Sequence, residues 1–105
     1  MIPQSIEEAI TNILTWEDLE DVINQSLEEF SAVSHFTAGR WIRNQWGLWQ
    51  QEGGLYKELK GLGLTHADDM SGYIFTLVWC TYHDKPFNME GVIAQYKEHW
   101  DTYGN

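Results

Sequence analysis

The sequence predicts an all-α fold of about six short helices, and three features predict it. Apolar residues recur at spacings of three and four along most of the 105 residues, as on a buried helix face. Ser, Thr and Asn residues precede these segments, where they cap helices. Glycine and proline separate the segments. A chain of this length can build one modest core, so we expect a single domain over residues 1–105.

Capping sequences mark the first helices. Ser5 followed by Glu8 predicts a capping box, in which the serine hydroxyl accepts from a first-turn amide, and a helix to about Leu14. Thr15 repeats the pattern, so it is predicted to cap the next helix. Residues 15–36 then form one or two helices, and a break near Gln25 is expected because another capping sequence starts there. The apolar stripe of this segment consists of Trp16, Leu19, Val22, Ile23, Leu27 and Phe30.

Two helices separated by glycines are predicted in the middle of the chain. The first begins near Thr37, contains the tryptophan-rich segment 41–49 and ends in a glycine cluster at residues 52–54. The second covers residues 55–60. A last helix is capped by Asn88, and its apolar stripe consists of Val92, Ile93, Tyr96, Trp100 and Tyr103.

Residues 70–82 are compatible with either a helix or a strand. Their Tyr, Ile, Phe, Thr and Val side chains favour strands. Their apolar residues nevertheless keep helical spacing, and the sequence from Thr65 to Asp68 resembles a helix start with acids in the first turn. A strand would need a partner strand, which the rest of the chain does not offer. We therefore predict a helix.

Charge is concentrated at the start of the chain. The formal net charge is −10, and residues 1–30 contain eight acids and no Lys or Arg. Such a field repels nucleic acid and anionic membranes but attracts basic proteins. The predicted partner-binding residues are Glu17, Asp18, Glu20, Asp21, Glu28 and Glu29. The alternative interpretation is that these acids are solvated helix faces that keep the protein soluble.

The sequence offers no membrane segment and no recognisable chemistry. Its longest apolar run, residues 73–80, is far shorter than the ~20 residues of a membrane helix, and no secretory signal begins the chain, so a cytoplasmic protein is expected. Cys80, the only cysteine, excludes an internal disulfide and is expected to be buried and inert. We predict no cofactor, no metal site and no catalytic residue. The best local trio, His66 with Asp68 and Asp69, fits a helix start better than an active site.

Two interpretations compete for the tryptophan-rich segment. In the first, its tryptophans lie in the core, while Arg40 and Arg43 pair with acids of the first two helices. In the second, the segment forms an exposed patch of Trp and Arg, two residue types enriched in binding hot spots. The first interpretation is preferred because a small core needs large side chains.

The chain resembles an uncharacterised family of small bacterial domains over about residues 35–100. The motifs that carry the resemblance are His35-Phe-x-x-Gly39-x-Trp41-Ile-Arg-Asn-x-Trp46-Gly-Leu-Trp49, Leu62-Gly-x-x-His66-x-Asp68-Asp-Met-Ser71 and Lys85-Pro86. This resemblance implies no catalytic residue. The acidic first thirty residues are the part least like the family.

By type, the chain is also similar to immunity proteins of bacterial toxin systems such as contact-dependent growth inhibition. That similarity implies stoichiometric binding of a cognate basic toxin, a nuclease domain whose phosphate-binding cleft an acidic inhibitor would occlude. The alternative is an acidic, nucleic-acid-mimicking inhibitor of a defence enzyme, which would bind several unrelated basic proteins. An enzyme built on His66, Asp68 and Asp69 is a third hypothesis.

Overall fold

The computed structural model describes residues 2–103, with side chains over residues 2–100. This part of the chain contains helices and no strand, so the predicted all-α fold is confirmed. A 3-10 helix covers Glu17–Leu19 and leads directly into α2. The α-helices are α1 (Ile6–Ile13), α2 (Glu20–Ile23), α3 (Leu27–Phe36), α4 (Ala38–Gln45), α5 (Gly53–Gly61), α6 (Ala67–Tyr82) and α7 (Met89–Tyr103). There are seven rather than about six, because residues 15–36 contain two.

Helix α6 is the centre of the molecule. It packs against α1, α3, α4 and α7, so most of its circumference is covered. Met70, Ile74 and Val78 are completely buried in it. This burial explains why strand-favouring residues form a helix here, since tertiary packing outweighs the weak intrinsic preference. The predicted helix over residues 70–82 is therefore confirmed.

Three of the predicted N-terminal caps are present. The Ser5 hydroxyl accepts from the backbone N–H of Glu8 at 3.1 Å, and the Ser26 hydroxyl accepts from that of Glu29 at 3.1 Å. The amide of Gly91 donates to Asn88 Oδ1 at 3.1 Å, as expected for the last helix. These sequence patterns locate helix starts because the acceptor and the amide belong to the same turn.

The predicted cap at Thr15 is wrong. Its hydroxyl donates back to the carbonyl of Asn12 at 2.6 Å, and the indole N–H of Trp16 donates to Asn12 Oδ1 at 2.8 Å. Both side chains therefore close the end of α1. The 3-10 helix that follows has no side-chain cap.

The break between α2 and α3 is held by the end of α6. The indole N–H of Trp79 donates to the carbonyl of Gln25 at 3.0 Å, and His83 Nε2 hydrogen-bonds the carbonyl of Ile23 at 2.7 Å. These contacts satisfy carbonyls that the end of a short helix leaves without a helical partner. The predicted break near Gln25 is thus confirmed, and α6 fixes its position.

Helices α3 and α4 approach each other closely at Gly39. A Cβ atom built on this residue would lie 2.6 Å from the backbone oxygen of Ser34 and 3.1 Å from a guanidinium nitrogen of Arg43. Only glycine leaves room for this approach. On α7, Ile93 is buried and Trp100 is 38% exposed, while the side chain of Tyr103 lies outside the described side chains.

Candidate functional site

The six predicted partner-binding acids lie on consecutive short elements at the surface. Two belong to the 3-10 helix, two to α2 and two to the first turn of α3. All six are exposed. Within the residues that the structure describes, none forms an ion pair with a Lys or Arg side chain. We call Glu17, Asp18, Glu20, Asp21, Glu28 and Glu29 the acidic surface.

An apolar groove lies directly beside the acidic surface. It has a volume of about 330 Å³, at the lower end of the range found for small-molecule sites. One wall carries Trp16, Asp18 and Val22, the other carries Val33 and Thr37, and the buried rings of Phe30 and Phe75 lie between them. We call this feature the α2–α3 groove. Asp18 belongs both to it and to the acidic surface.

Three tryptophans connect the groove to the exposed side of α4. Trp16, Trp41 and Trp46 contact one another edge to face, with ring centroids 5.9–6.2 Å apart. Trp46 is buried, whereas Trp41 is 51% exposed. Trp49 is also exposed, so the core interpretation of the tryptophan-rich segment holds for Trp46 and the surface interpretation holds for Trp41 and Trp49.

Two apolar side chains of α3 are exposed to solvent. Val33 is 39% exposed and Phe36 is 75% exposed. Isolated exposed apolar residues are ordinary, but contiguous ones on a small domain indicate an interaction site. Val33 lines the groove, and Trp41 contacts Trp16, which also lines it, so these two exposed side chains are continuous with the groove.

Arg43 is buried behind this surface. One guanidinium nitrogen donates to Ser71 Oγ at 2.7 Å and another to the carbonyl of His35 at 2.8 Å. Its Nε lies 3.4 Å from Asp68 Oδ1. Burial lowers the pKa of the guanidinium, although the charge of Asp68 opposes that shift. The expectation that Arg43 pairs with acids of the first two helices is wrong, because α6 and the end of α3 supply its partners.

Arg40, one turn earlier, is exposed. It forms no ion pair with any acid in the described part of the chain, so the expected pairing is wrong for this residue as well.

The trio at the start of α6 is divided among three structural tasks. His66, rather than Thr65, caps the helix, since its Nδ1 accepts from the amide of Asp68 at 3.1 Å. Asp68 faces Arg43, and the buried carboxylate of Asp69 accepts from the indole N–H of Trp100 at 2.5 Å. Burial raises the pKa of Asp69, an effect that the Trp100 hydrogen bond partly offsets.

A cleft of about 330 Å³, lined mainly by apolar surface, lies between α3, α6 and α7. Ser34, Asp68, Asp69, Ser71 and Tyr96 contribute its polar groups. The hydroxyl of Ser71 already donates to the carbonyl of Asp68 at 3.0 Å and accepts from the arginine behind it. Burial, together with the nearby Asp69 carboxylate, raises the pKa of Tyr96 to about 12. Neither the Ser71 hydroxyl, which these hydrogen bonds occupy, nor the Tyr96 hydroxyl, whose pKa is raised, is thus activated as a nucleophile.

The remaining reactive groups are the thiol of Cys80 and the side chains that could bind a metal ion. Cys80 is buried, as predicted, and burial raises the pKa of its thiol. Among the described residues, no three or more His, Cys, Asp or Glu side chains are grouped so that they could hold a metal ion. The sequence does not predict that Tyr96 and Trp100 of α7 pack on α6, because the spacing of apolar residues along one helix does not identify the helix that it faces.

Fold and surface together define the class: a small helical domain with an acidic surface and an adjacent apolar groove. The chain belongs to the family described as Domain of unknown function (DUF6794), whose model matches residues 2–82. Neither the comparison with curated proteins nor that with solved structures gave a match.

The family match extends from before α1 to the last residue of α6. The match therefore includes the acidic segment at the start of the chain. The resemblance seen in the sequence motifs covers only about residues 35–100 and does not include that segment. In residues 2–103, no helix has the length and apolar character that crossing a membrane requires.

Proposed function

We propose that this domain is an immunity protein that binds a basic toxin, a nuclease domain, and blocks its cleft without catalysing a reaction. The observation that carries the proposal is the acidic surface: six exposed carboxylates between residues 17 and 29, unpaired with any Lys or Arg of the described chain. A nuclease is basic where it binds phosphates, so such a surface would speed its capture and align it.

The groove supports the same proposal. Affinity in protein interfaces comes mainly from a few buried apolar or aromatic anchors, whereas charges at the rim control encounter. The α2–α3 groove offers a place for such an anchor within the reach of the acidic surface. A surface that only kept the protein in solution would not require this combination. On this proposal the protein acts in the cytoplasm, where it meets the incoming nuclease.

Co-expression tests the proposal. We expect a toxin gene next to the gene of this protein, and we expect wild-type protein to protect cells from the nuclease domain of that toxin. The double variants Glu17→Lys/Asp21→Lys and Glu28→Lys/Glu29→Lys should protect less well, because they reverse the charge that steers association. Glu52→Lys/Glu90→Lys, which reverses two exposed acids outside the acidic surface, is the matched control and should protect fully.

Three outcomes would contradict the proposal. The first is the absence of protection by the wild type. The second is equal protection by both double variants and the control. The third is tight binding to several unrelated basic proteins, which would instead indicate a nucleic-acid-mimicking inhibitor.

A further inference from the structure

The two walls of the α2–α3 groove share one arrangement. Asp18 and Val22 are four residues apart and both line the groove. On the opposite wall Val33 lines the groove, and Glu29, four residues earlier on the same face of α3, lies outside the lining, with its carboxylate accepting from the Ser26 hydroxyl at 3.0 Å. Each side of the groove thus has a carboxylate one turn from an exposed or half-exposed valine: Asp18 within the lining, and Glu29 next to it along α3.

This arrangement is complementary in shape and charge to an amphipathic, basic helix. In helix-in-groove recognition, apolar side chains spaced three or four residues apart enter an apolar groove. Lys and Arg one turn away on the same helix would then face the carboxylates of Asp18, in the lining, and Glu29, beside it. The groove contains aromatic rings from Phe30 and Phe75, which are buried and therefore already ordered before binding.

We propose that the α2–α3 groove docks one helix of a basic partner, with an aliphatic side chain between Val22 and Val33 and basic side chains against Asp18 and Glu29. The charge of the walls selects a basic occupant, since a second copy of this chain would bring its own net charge of −10. The inference rests on the proposed function for the class of the partner. The place of binding rests on the groove alone.

A synthetic peptide tests this inference directly. The probe is an amphipathic, helix-forming peptide whose two leucines, four residues apart, are flanked one turn away by Lys and Arg. Its binding is followed by NMR through the methyl signals of Val22 and Val33 and the indole N–H of Trp16. We expect these three signals to shift, and we expect affinity to fall as salt rises.

Variants at the surface make the test specific. Val33→Ser should weaken peptide binding about tenfold or more, as loss of an interface anchor does. Asp18→Asn should reduce the dependence on salt. Met89→Ser is the control for Val33→Ser, because Met89 is 42% exposed on α7, and Glu90→Gln is the control for Asp18→Asn. Circular dichroism checks that every variant is folded.

The possible results separate this inference from the proposed function. Signals that do not shift, or equal weakening by Val33→Ser and Met89→Ser, would overturn the docking groove. An unchanged affinity of Val33→Ser for the toxin would also overturn it and leave the proposed function standing. Peptide binding in the groove by a protein that protects against no toxin would overturn the proposed function alone.

Discussion

Arg43 places a full charge inside the domain, and its surroundings explain how the fold tolerates it. A buried guanidinium is costly unless its donors find acceptors or a counter-charge. Here the hydroxyl of Ser71 and the carbonyl of His35 accept from two of its nitrogens, while the Asp68 carboxylate supplies an opposite charge 3.4 Å from Nε, which forms no hydrogen bond. Ser71 lies 28 residues away along the chain. No local pattern in the sequence could have identified that contact, so the burial of Arg43 was beyond prediction.

Replacement of Arg43 should destabilise the fold. Arg43→Ala would leave the Ser71 hydroxyl and the carbonyl of His35 without their donor, and we expect the free energy of unfolding to fall by about 2–3 kcal/mol. Urea denaturation measures the change. Arg40→Ala, one turn away and exposed, should stay within about 0.5 kcal/mol of the wild type. Equal effects of the two variants would contradict the described role of Arg43.

Asp69 predicts a dependence of stability on pH. Because burial raises its pKa above the ordinary value of 3.8, the folded state binds this proton more tightly than the unfolded state. The stabilising contribution of the protonated form is complete below pH 3.8 and is lost as pH rises through the raised pKa.

Replacement by asparagine tests this dependence. Asp69→Asn retains an oxygen that can accept from Trp100 but cannot ionise, so its free energy of unfolding should decrease less than that of the wild type as pH rises above 3.8. Chemical denaturation across this pH range measures the difference. Glu52→Gln, at an exposed position, should follow the wild type. A wild-type profile parallel to that of Asp69→Asn would contradict the raised pKa.

At the scale of elements, local signals were predictable and their assembly was not. Ser5 and Ser26 cap helices as expected because their partners lie three residues ahead. The prediction at Thr15 failed because Asn12, in the preceding helix, accepts hydrogen bonds from both the Thr15 hydroxyl and the Trp16 indole N–H. For the candidate site, the exposure of the acidic surface followed from the sequence. The groove did not, since its walls come from segments that only the fold brings together.

The contact between α3 and α4 predicts the effect of a single methyl group. Gly39→Ala would press a Cβ against the backbone oxygen of Ser34, which cannot move without shifting α3. We expect a loss of about 1–3 kcal/mol of stability, as for other overpacked sites. Thermal denaturation, followed by circular dichroism, measures it.

Gly61 provides the matched control. It ends α5, and a Cβ built there would meet nothing within 4 Å. Gly61→Ala should therefore be as stable as the wild type or up to about 1 kcal/mol more stable. A Gly39→Ala variant that behaves like Gly61→Ala would show that the two helices can separate freely.

For the whole molecule, charge imbalance is the dominant electrostatic property. The chain has a formal charge of −10. Among the described residues, one ion pair joins an arginine or lysine to a carboxylate, and it is Arg43–Asp68. Repulsion among the acids therefore acts against the compact state. Salt screens this repulsion, as it does other interactions between exposed charges.

Salt should consequently stabilise the protein. We expect Tm to rise when sodium chloride is increased from about 0.02 M to about 0.3 M, where the Debye length falls well below the size of the domain. Glu17→Lys/Asp21→Lys removes part of the repulsion and should show a smaller rise. A wild-type Tm that falls over this range would mean that attraction, rather than repulsion, dominates the charge distribution.

The central position of α6 determines when the protein can fold during its synthesis. Helices α1, α3 and α4 are synthesised first, yet each buries its apolar side against a helix that begins only at residue 67. A nascent chain that has reached α5 therefore has its helix-forming segments but not the element that covers them. Folding during translation must wait for α6 to emerge, and chains released before that point would present apolar faces to proteases and chaperones.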